Sequence, residues 1–176
     1  LGFDVAGFTN LTRDHLDEFG SMENYLSAKA ALFTKKFSLR SVINVEDGFG
    51  EQMLQLARAA SPGTPVGIGP NQDYSFEVTT AGIKITGRQE LFLARDIGPL
   101  MSKNLVLAAV MLLEIGYNAK AVAAAALDIE TRVPGRLELV SETTPHVYLD
   151  YAHTPQAIEL AAQELSGKYP ELVIVL

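Results

Sequence analysis

Apolar and polar residues alternate along the first third of the chain in a pattern that predicts strands separated by helices. Short apolar runs predict strands over Leu1–Phe8, Leu39–Val45 and Thr64–Ile68. Apolar residues at helical spacing predict helices over Ser21–Lys36 and Gly50–Ala60, the first of them with its initial serine as the N-cap. This order is the βαβ rhythm of a parallel sheet with crossover helices.

The pattern then becomes typical of antiparallel strands. Alternating side chains predict a hairpin of Tyr74–Thr80 and Gly82–Thr86, with Leu91–Ala94 as a third strand. Helical spacing returns in two segments, Ser102–Ile115 and Ala119–Ile129. We therefore expect a mostly parallel α/β sheet that carries a small antiparallel hairpin.

A Pro-Gly pair at residues 134–135 predicts a domain boundary. Beyond it the pattern predicts two strands, a helix and a strand, over Leu137–Val140, His146–Tyr151, about Thr154–Leu165 and Glu171–Leu176. This order predicts the first βαβ of a second domain, so we expect domains at residues 1–134 and 135–176. Because the chain starts and stops inside apolar segments, we expect it to be an internal piece of a longer protein.

Composition and charge narrow the class of protein. The 176 residues are 48% apolar and 20% charged, which is typical of a globular protein rather than a disordered one. The absence of cysteine excludes disulfides, thiolate metal sites and a cysteine nucleophile. A net charge of −7 argues against nucleic-acid and anionic-membrane partners, and no apolar run approaches the roughly 20 residues of a membrane span. We expect a soluble, cytoplasmic protein.

The segment Thr9–Gly20 holds the densest group of polar side chains. Its charged and amide residues include Asn10, Arg13, Asp14, His15 and Asp17. The segment follows a predicted strand and precedes a predicted helix, and ligands bind at the carboxyl ends of parallel strands. It is therefore a candidate ligand site, although a solvated loop with polar filler explains its composition equally well.

Lys29 lies in the middle of a predicted helix, between two alanines. A lysine in such a position normally extends its ammonium group to water, and this interpretation is favoured by the residue alone. Burial would instead favour the neutral amine, a nucleophile able to capture carbon dioxide as a carbamate. A carbamate is carboxylate-like and could hold a hard cation such as Mg²⁺.

Asp150 lies at the carboxyl end of a predicted strand, and Thr154 and Pro155 are typical of the helix start that follows it. A carboxylate in this position can accept hydrogen bonds from a ribose hydroxyl. The alternative is a turn in which Asp150 binds neighbouring backbone groups. Arg136, at the predicted domain boundary, could reach a phosphate or a base. The sequence contains no glycine-rich phosphate loop.

Several segments in order along the chain closely resemble the Mur ligase family, and within it the MurE type, the UDP-N-acetylmuramoyl-L-alanyl-D-glutamate ligases. They are Thr9–Asp17, Gly20–Phe33, Val42–Asp47 with Gly50, Asn104–Ala109, Val133–Glu138 and Leu149–Ala157. The resemblance implies the later part of a P-loop-type ATPase sheet, followed by the start of a Rossmann-like C-terminal domain.

The resemblance also implies an activity. In this family ATP phosphorylates the D-glutamate carboxylate of a UDP-N-acetylmuramoyl dipeptide, and the amine of a third amino acid, diaminopimelate or lysine, attacks the acyl phosphate. Mg²⁺ neutralises charge on the transferring phosphoryl group. The expected protein is thus a monomeric, cytoplasmic, ATP-dependent amide ligase of peptidoglycan synthesis, without a nucleic-acid or membrane partner.

The family's functional residues carry over to eight positions. The resemblance implies that His15 binds Mg²⁺, that Lys29 is carbamylated and helps hold a second Mg²⁺, and that Asn10 and Arg13 lie on the substrate side. It further implies that the adenosine end of ATP is lined by Asn104, Arg136, Asp150 and His153.

The sequence departs from the family pattern at two points. Met101 stands where the family usually has the first Asn of Gly-x-Phe-Asn-x-x-Asn, and the Gly-Thr-Asn-Gly-Lys-Thr phosphate loop is absent. We therefore expect the isolated 176 residues to show no ligase turnover. Two alternatives stay open: a related ligase of the MurF, cyanophycin or folylpolyglutamate type, and a non-catalytic nucleotide-binding module.

Overall fold

A computed structural model describes residues 2–14, 16–61, 65–95, 97–129 and 133–176. Its main element is a six-stranded sheet in which the strands lie in the order of the sequence. The strands are β1 (Ala6–Phe8), β2 (Ser41–Asn44), β3 (Pro65–Ile68), β4 (Tyr74–Thr79), β5 (Gly82–Gly87) and β6 (Leu91–Leu93). Strands β1 to β4 pair in parallel and β4 to β6 pair antiparallel. The predicted mostly parallel sheet with an antiparallel hairpin is confirmed.

Helices cover both faces of this sheet. They are α1 (Leu16–Phe19), α2 (Met22–Ala30), α3 (Gly50–Ala60), α4 (Pro99–Glu114) and α5 (Ala119–Asp128). The predicted cap of α2 is confirmed, because Ser21 Oγ accepts a hydrogen bond of 3.2 Å from the Asn24 N–H. Helix α4 begins three residues before the predicted Ser102, because Pro99 is tolerated in a first helical turn.

The alternation of side chains along β2 explains the two hydrophobic clusters. Val42 packs with α4, α5 and strands β3 to β6, whereas Ile43 packs with α2, α3 and β1. A parallel strand buried on both faces is expected to be apolar at successive positions, as β2 is. The sheet and its helices, residues 2–129 where described, form the unit that we call the sheet domain.

The remaining elements are β7 (Glu138–Ser141), β8 (Val147–Leu149) and α6 (Pro155–Ser166), which lie in residues 135–176, here called the C-terminal unit. Strands β7 and β8 pair antiparallel. The strand predicted over Glu171–Leu176 is wrong, and with it the predicted βαβ. No described strand pairs with this segment, so its backbone has no ladder partner, and Val173 is 92% exposed.

Candidate functional site

A cavity of about 440 Å³ lies where the carboxyl ends of β1 and β2 meet α4 and the C-terminal unit. This edge of a parallel sheet is the usual position of a ligand site. The cavity is lined by residues of four chain regions: Thr9, Asn10, Asn44, Leu100, Met101, Lys103, Asn104, Leu107, Arg136, Leu137, Asp150, Ala157, Leu160 and Ala161. Of the predicted site residues, Asn10, Asn104, Arg136 and Asp150 are therefore brought together.

Asp150 is held by the backbone of the C-terminal unit. Its Oδ2 accepts from the Leu137 N–H and its Oδ1 from the Ala152 N–H, both at 2.7 Å. Asp150 thus binds neighbouring backbone groups, which was the alternative to a ribose contact in the sequence analysis. The same carboxylate also lines the cavity. Because a carboxylate oxygen has two lone pairs, each oxygen can still accept a bond from a ligand hydroxyl.

Arg136 supplies a planar cation at the same end of the β7–β8 hairpin as Asp150. Its guanidinium carbon lies 5.7 Å from the centre of the Tyr151 ring, within the range of a cation–π contact. The Tyr151 N–H donates to the Gly135 carbonyl at 2.8 Å, which joins the two ends of the hairpin beside the arginine. The exposed guanidinium can bind phosphate oxygens or stack on a flat ring.

Helix α4 contributes the wall that belongs to the sheet domain. Met101, Lys103 and Asn104 line the cavity from its first turns. The Lys103 Nζ lies 3.1 Å from Glu46 Oε2, so an ion pair joins α4 to the loop after β2. The predictions missed Lys103 and Glu46, because the sequence gives no signal that two such distant elements meet.

The C-terminal unit contacts the sheet domain through polar side chains. Glu164 of α6 accepts a hydrogen bond of 3.2 Å from the Leu100 N–H in the first turn of α4. Gly98 permits this approach, because a Cβ there would collide with the Glu164 carboxylate. His153 Nε2 lies 3.7 Å from Asp14 Oδ2. His153 thus contacts the segment after β1, although it is not among the residues that line the cavity.

Of the two residues predicted to bind Mg²⁺, the structure describes Lys29, which does not line the cavity. His15 lies outside the described residues. Lys29 is exposed, with its Nζ 4.9 Å from the centre of the Tyr25 ring, so the burial that would favour a carbamate is not observed. Arg13 is exposed and does not line the cavity. Across the described part of the chain, no three His, Cys, Asp or Glu side chains come together as a metal site.

A second polar network lies around β4 and is not part of the cavity. The fully buried Tyr74 donates from its hydroxyl to Glu114 Oε1 at 3.0 Å, and Arg88 lies 3.3 Å from Glu114 Oε2 and 2.7 Å from Asp73 Oδ1. The pKa of Tyr74 is raised, mainly by burial of its hydroxyl and secondly by the hydrogen bond to Glu114. Burial alone would raise the pKa of Asp73, but the Gly67 N–H and Arg88 outweigh it and lower that pKa below its ordinary value.

Within the described residues, no helix is long and apolar enough to cross a membrane.

Comparison with known proteins identifies the family. The family model of the Mur ligase middle domain matches residues 1–126. A UDP-N-acetylmuramoyl-L-alanyl-D-glutamate–2,6-diaminopimelate ligase of Vibrio cholerae is 39% identical, over 94% of this chain and 35% of that protein. A UDP-N-acetylmuramyl-tripeptide synthetase of Leifsonia xyli is 34% identical, over 89% of this chain and 33% of that protein.

Solved structures agree with this result. The structure of a UDP-N-acetylmuramoyl-L-alanyl-D-glutamate–2,6-diaminopimelate ligase superposes with a TM-score of 0.71 and 25% sequence identity, over 93% of this chain and 35% of that one. The chain thus spans about a third of the length of the relatives that it matches. With a family model that matches well over half of its residues, the chain belongs to the Mur ligase middle domain family.

Proposed function

We propose that this chain is part of an ATP-dependent amide ligase that adds the third amino acid to UDP-N-acetylmuramoyl-L-alanyl-D-glutamate through an acyl phosphate. The amino acid that we favour is diaminopimelate, because relatives at up to 39% identity carry the name of that ligase. The alternative acceptor is lysine. In this proposal residues 1–134 are part of the ATP-binding domain and residues 135–176 begin the C-terminal domain.

The observation that carries the proposal is the shared cavity. Asn104 of α4 faces the same space as Arg136 and Asp150 of the C-terminal unit. Its volume of about 440 Å³ lies within the range of ordinary ligand pockets. An amide, a guanidinium and a carboxylate are the groups that hydrogen-bond a base, contact a flat ring or a phosphate, and hold a ribose.

Asp150, Arg136 and Asn104 then each have a defined task toward ATP. Asp150, whose orientation is fixed by two backbone amides, accepts from the ribose hydroxyls. Arg136 contacts the adenine face or a phosphate, and Asn104 hydrogen-bonds the base edge. Asn10 and Arg13 act on the side of the muramoyl dipeptide. We propose His153 for the adenosine end of ATP on the strength of the resemblance; in this structure its Nε2 lies 3.7 Å from Asp14 Oδ2.

Mg²⁺ is the metal that this activity implies, and it supplies charge neutralisation during phosphoryl transfer. We propose His15 and a carbamylated Lys29 as its ligands on the strength of the resemblance of their segments. Lys29 is exposed and thus open to carbon dioxide, but no burial in this structure favours its neutral amine. The carbamate is therefore a separate proposal with a test of its own.

The ligase proposal is tested with the protein expressed from its full reading frame. The assay supplies ATP, Mg²⁺ and UDP-N-acetylmuramoyl-L-alanyl-D-glutamate with either meso-diaminopimelate or L-lysine, and detects ADP and the new amide by mass spectrometry. Parallel assays supply the substrates of MurF-type, cyanophycin and folylpolyglutamate ligases. We expect an amide product with the muramoyl dipeptide, and its absence with that substrate would contradict the proposal.

Arg136→Ala tests the cavity within the same assay. We expect the KM for ATP to rise by about tenfold, because a charged hydrogen-bond donor is lost. Arg40→Ala is the matched control, since Arg40 is exposed and precedes β2 at the opposite end of the strand. Equal KM values for the two variants would remove the cavity from the proposal.

Lys29→Ala tests the carbamate. We expect it to depress ligase turnover, with no rescue by added bicarbonate, because the amine that would carry the carbamate is gone. Unchanged turnover would mean that Lys29 is a solvated helix residue whose ammonium rests above Tyr25.

A further inference from the structure

The segment from Thr9 to Asp14 carries Asn10 and Arg13 but forms no helix or strand of its own. Something outside the segment must therefore fix its course, because an irregular loop with free backbone groups is mobile. Two of the contacts that fix it come from the end of β2 and the loop that follows it.

Asp47 provides the first of these contacts. Its Oδ2 accepts a hydrogen bond of 2.6 Å from the Leu11 N–H, and its Oδ1 accepts one of 2.5 Å from the Phe49 N–H. Hydrogen bonds to a carboxylate are stronger than those between neutral groups. Leu11 is the residue directly after Asn10, and its side chain is buried in the cluster that contains Phe8 and Leu26. One carboxylate thus joins the segment after β1 to the start of α3.

Asn44, the last residue of β2, provides the second contact. Its Nδ2 donates to the Thr9 carbonyl at 2.9 Å, while its Oδ1 accepts from the Glu46 N–H at 3.2 Å. The backbone on both sides of Asn10 is therefore held, at Thr9 by Asn44 and at Leu11 by Asp47.

Gly50 explains why Asp47 has a fixed position. A Cβ at Gly50 would collide with the Asn44 carbonyl oxygen and the Val45 Cα. Helix α3 consequently begins directly against the end of β2, and residues 45–49 form a tight loop with Asp47 in its middle. The Gly50 N–H donates to the Asp47 carbonyl at 3.1 Å and closes this loop.

We propose that Asp47 is a positioning residue for the substrate-side segment, which it holds through the Leu11 N–H, with Asn44 as a second tether. Asp47 does not line the cavity, so it acts through the segment rather than on the nucleotide. The inference rests on the proposed function, because it assigns the segment to the muramoyl dipeptide.

Asp47→Asn is the sharpest variant because it keeps the size of the side chain. An amide has one acceptor oxygen, so the variant can bind only one of the two N–H groups and turns an NH₂ toward the other. Asp4→Asn is the matched control: Asp4 is exposed and precedes β1, at the opposite end of the strand from the segment. Circular dichroism and thermal unfolding identify the temperature at which both variants are folded.

The first measurement is hydrogen–deuterium exchange of the peptide that contains Leu11, in the protein expressed from its full reading frame. We expect its amide to exchange at least about tenfold faster in Asp47→Asn than in Asp4→Asn, since a charge-assisted bond is lost. Equal exchange would show that Asp47 does not hold the segment and would overturn the inference.

The second measurement separates positioning from general destabilisation. A fall in folded protein lowers kcat for every substrate alike, whereas displacement of the segment changes the KM for the dipeptide. We expect that KM to rise by about tenfold and the KM for ATP to rise by less, because the segment reaches the cavity only through Thr9 and Asn10. Asn44→Ala should shift the dipeptide KM in the same direction through the Thr9 tether, and this variant keeps the test open if Asp47→Asn does not fold.

The outcomes distinguish the two proposals. Absence of amide formation by the unaltered protein overturns the proposed function and the positioning role with it. Normal activity combined with an unchanged dipeptide KM, in variants whose Leu11 amide exchanges faster, overturns the positioning role alone.

Discussion

The sheet domain and the C-terminal unit differ in the interactions that hold each of them in place. Every residue of the two buried hydrophobic clusters lies between Ala6 and Ala126, whereas β7, β8 and α6 contain no fully buried side chain. The C-terminal unit meets the sheet domain instead through polar contacts, such as that between Glu164 and the Leu100 N–H. The cavity thus has one wall built on a packed core and one wall attached by polar groups.

This difference bears on how the proposed site would bind a ligand between its walls. Asn104 belongs to a helix whose inner face is fully packed, so its position is fixed before a ligand arrives. Arg136 and Asp150 belong to the unit that makes fewer apolar contacts, and such regions open at lower free energy than a core. A ligand that contacts both walls stabilises their association.

Loss of a core side chain should cause the largest fall in the free energy of unfolding and so gives the first test of this comparison. Ile85→Ala removes a side chain with 0% exposure from β5 and should lower the free energy of unfolding by about 2–5 kcal/mol. Ile158→Ala in α6 is the matched variant, and its partly exposed side chain should cost less than about 1.5 kcal/mol. Urea unfolding of both measures the difference, and equal losses would contradict the comparison.

An intermediate effect is expected from the polar network around β4. Tyr74→Phe removes the hydroxyl that binds Glu114 and should lower the free energy of unfolding by about 1–2 kcal/mol. Glu114 keeps its contact with Arg88, which limits the loss. Urea unfolding is again the measurement, and a Phe variant at least as stable as the unaltered protein would show that the hydroxyl contributes nothing.

The same network predicts a dependence on pH. The pKa of Asp73 is lower in the folded protein than its ordinary value of 3.8. The stability from its charged form is therefore present above that value and is lost as the pH falls through the lower, folded pKa. We expect Asp73→Asn to be less stable than the unaltered protein at pH 7 and to lose less stability below about pH 4. Parallel loss in both proteins during acid titration would contradict this assignment.

The smallest effect is expected at the contact between the two units. Glu164→Gln weakens the interaction with the first turn of α4, which an anion stabilises, by about 0.3–1 kcal/mol. Hydrogen exchange of α6 should accelerate, while that of β2 should not change. Acceleration in both would mean that the C-terminal unit and the sheet domain unfold together.

Most of the sheet domain could be predicted because its signals are local. Short buried runs indicate the strands β2 and β3, apolar residues recur at helical spacing in α3, and Ser21 is typical of a helix start. The strand over Glu171–Leu176 was wrong for a physical reason: a strand needs a neighbour for its hydrogen bonds, and the apolar run alone does not say whether one is there.

The candidate site was predictable only in part. Arg136 could be predicted as a site residue because it follows a domain boundary, and Asp150 because it lies at the end of a strand. The structure brings both to one cavity with Asn104. Lys103, Glu46 and Glu164 were missed because their partners lie far away in the sequence. Lys29, in contrast, was predicted as a site residue but is exposed in this structure. Its resemblance to a functional lysine carried no information about its exposure.

In the proposed ligase one nucleotide is bound by both walls of the cavity. Hydrogen–deuterium exchange of the protein expressed from its full reading frame, with and without ATP and Mg²⁺, tests it most directly. We predict that ATP slows exchange in the first turns of α4, around Asn104, and at the same time at Arg136 and Leu137. Protection of one wall alone, or of neither at saturating ATP, would contradict the account.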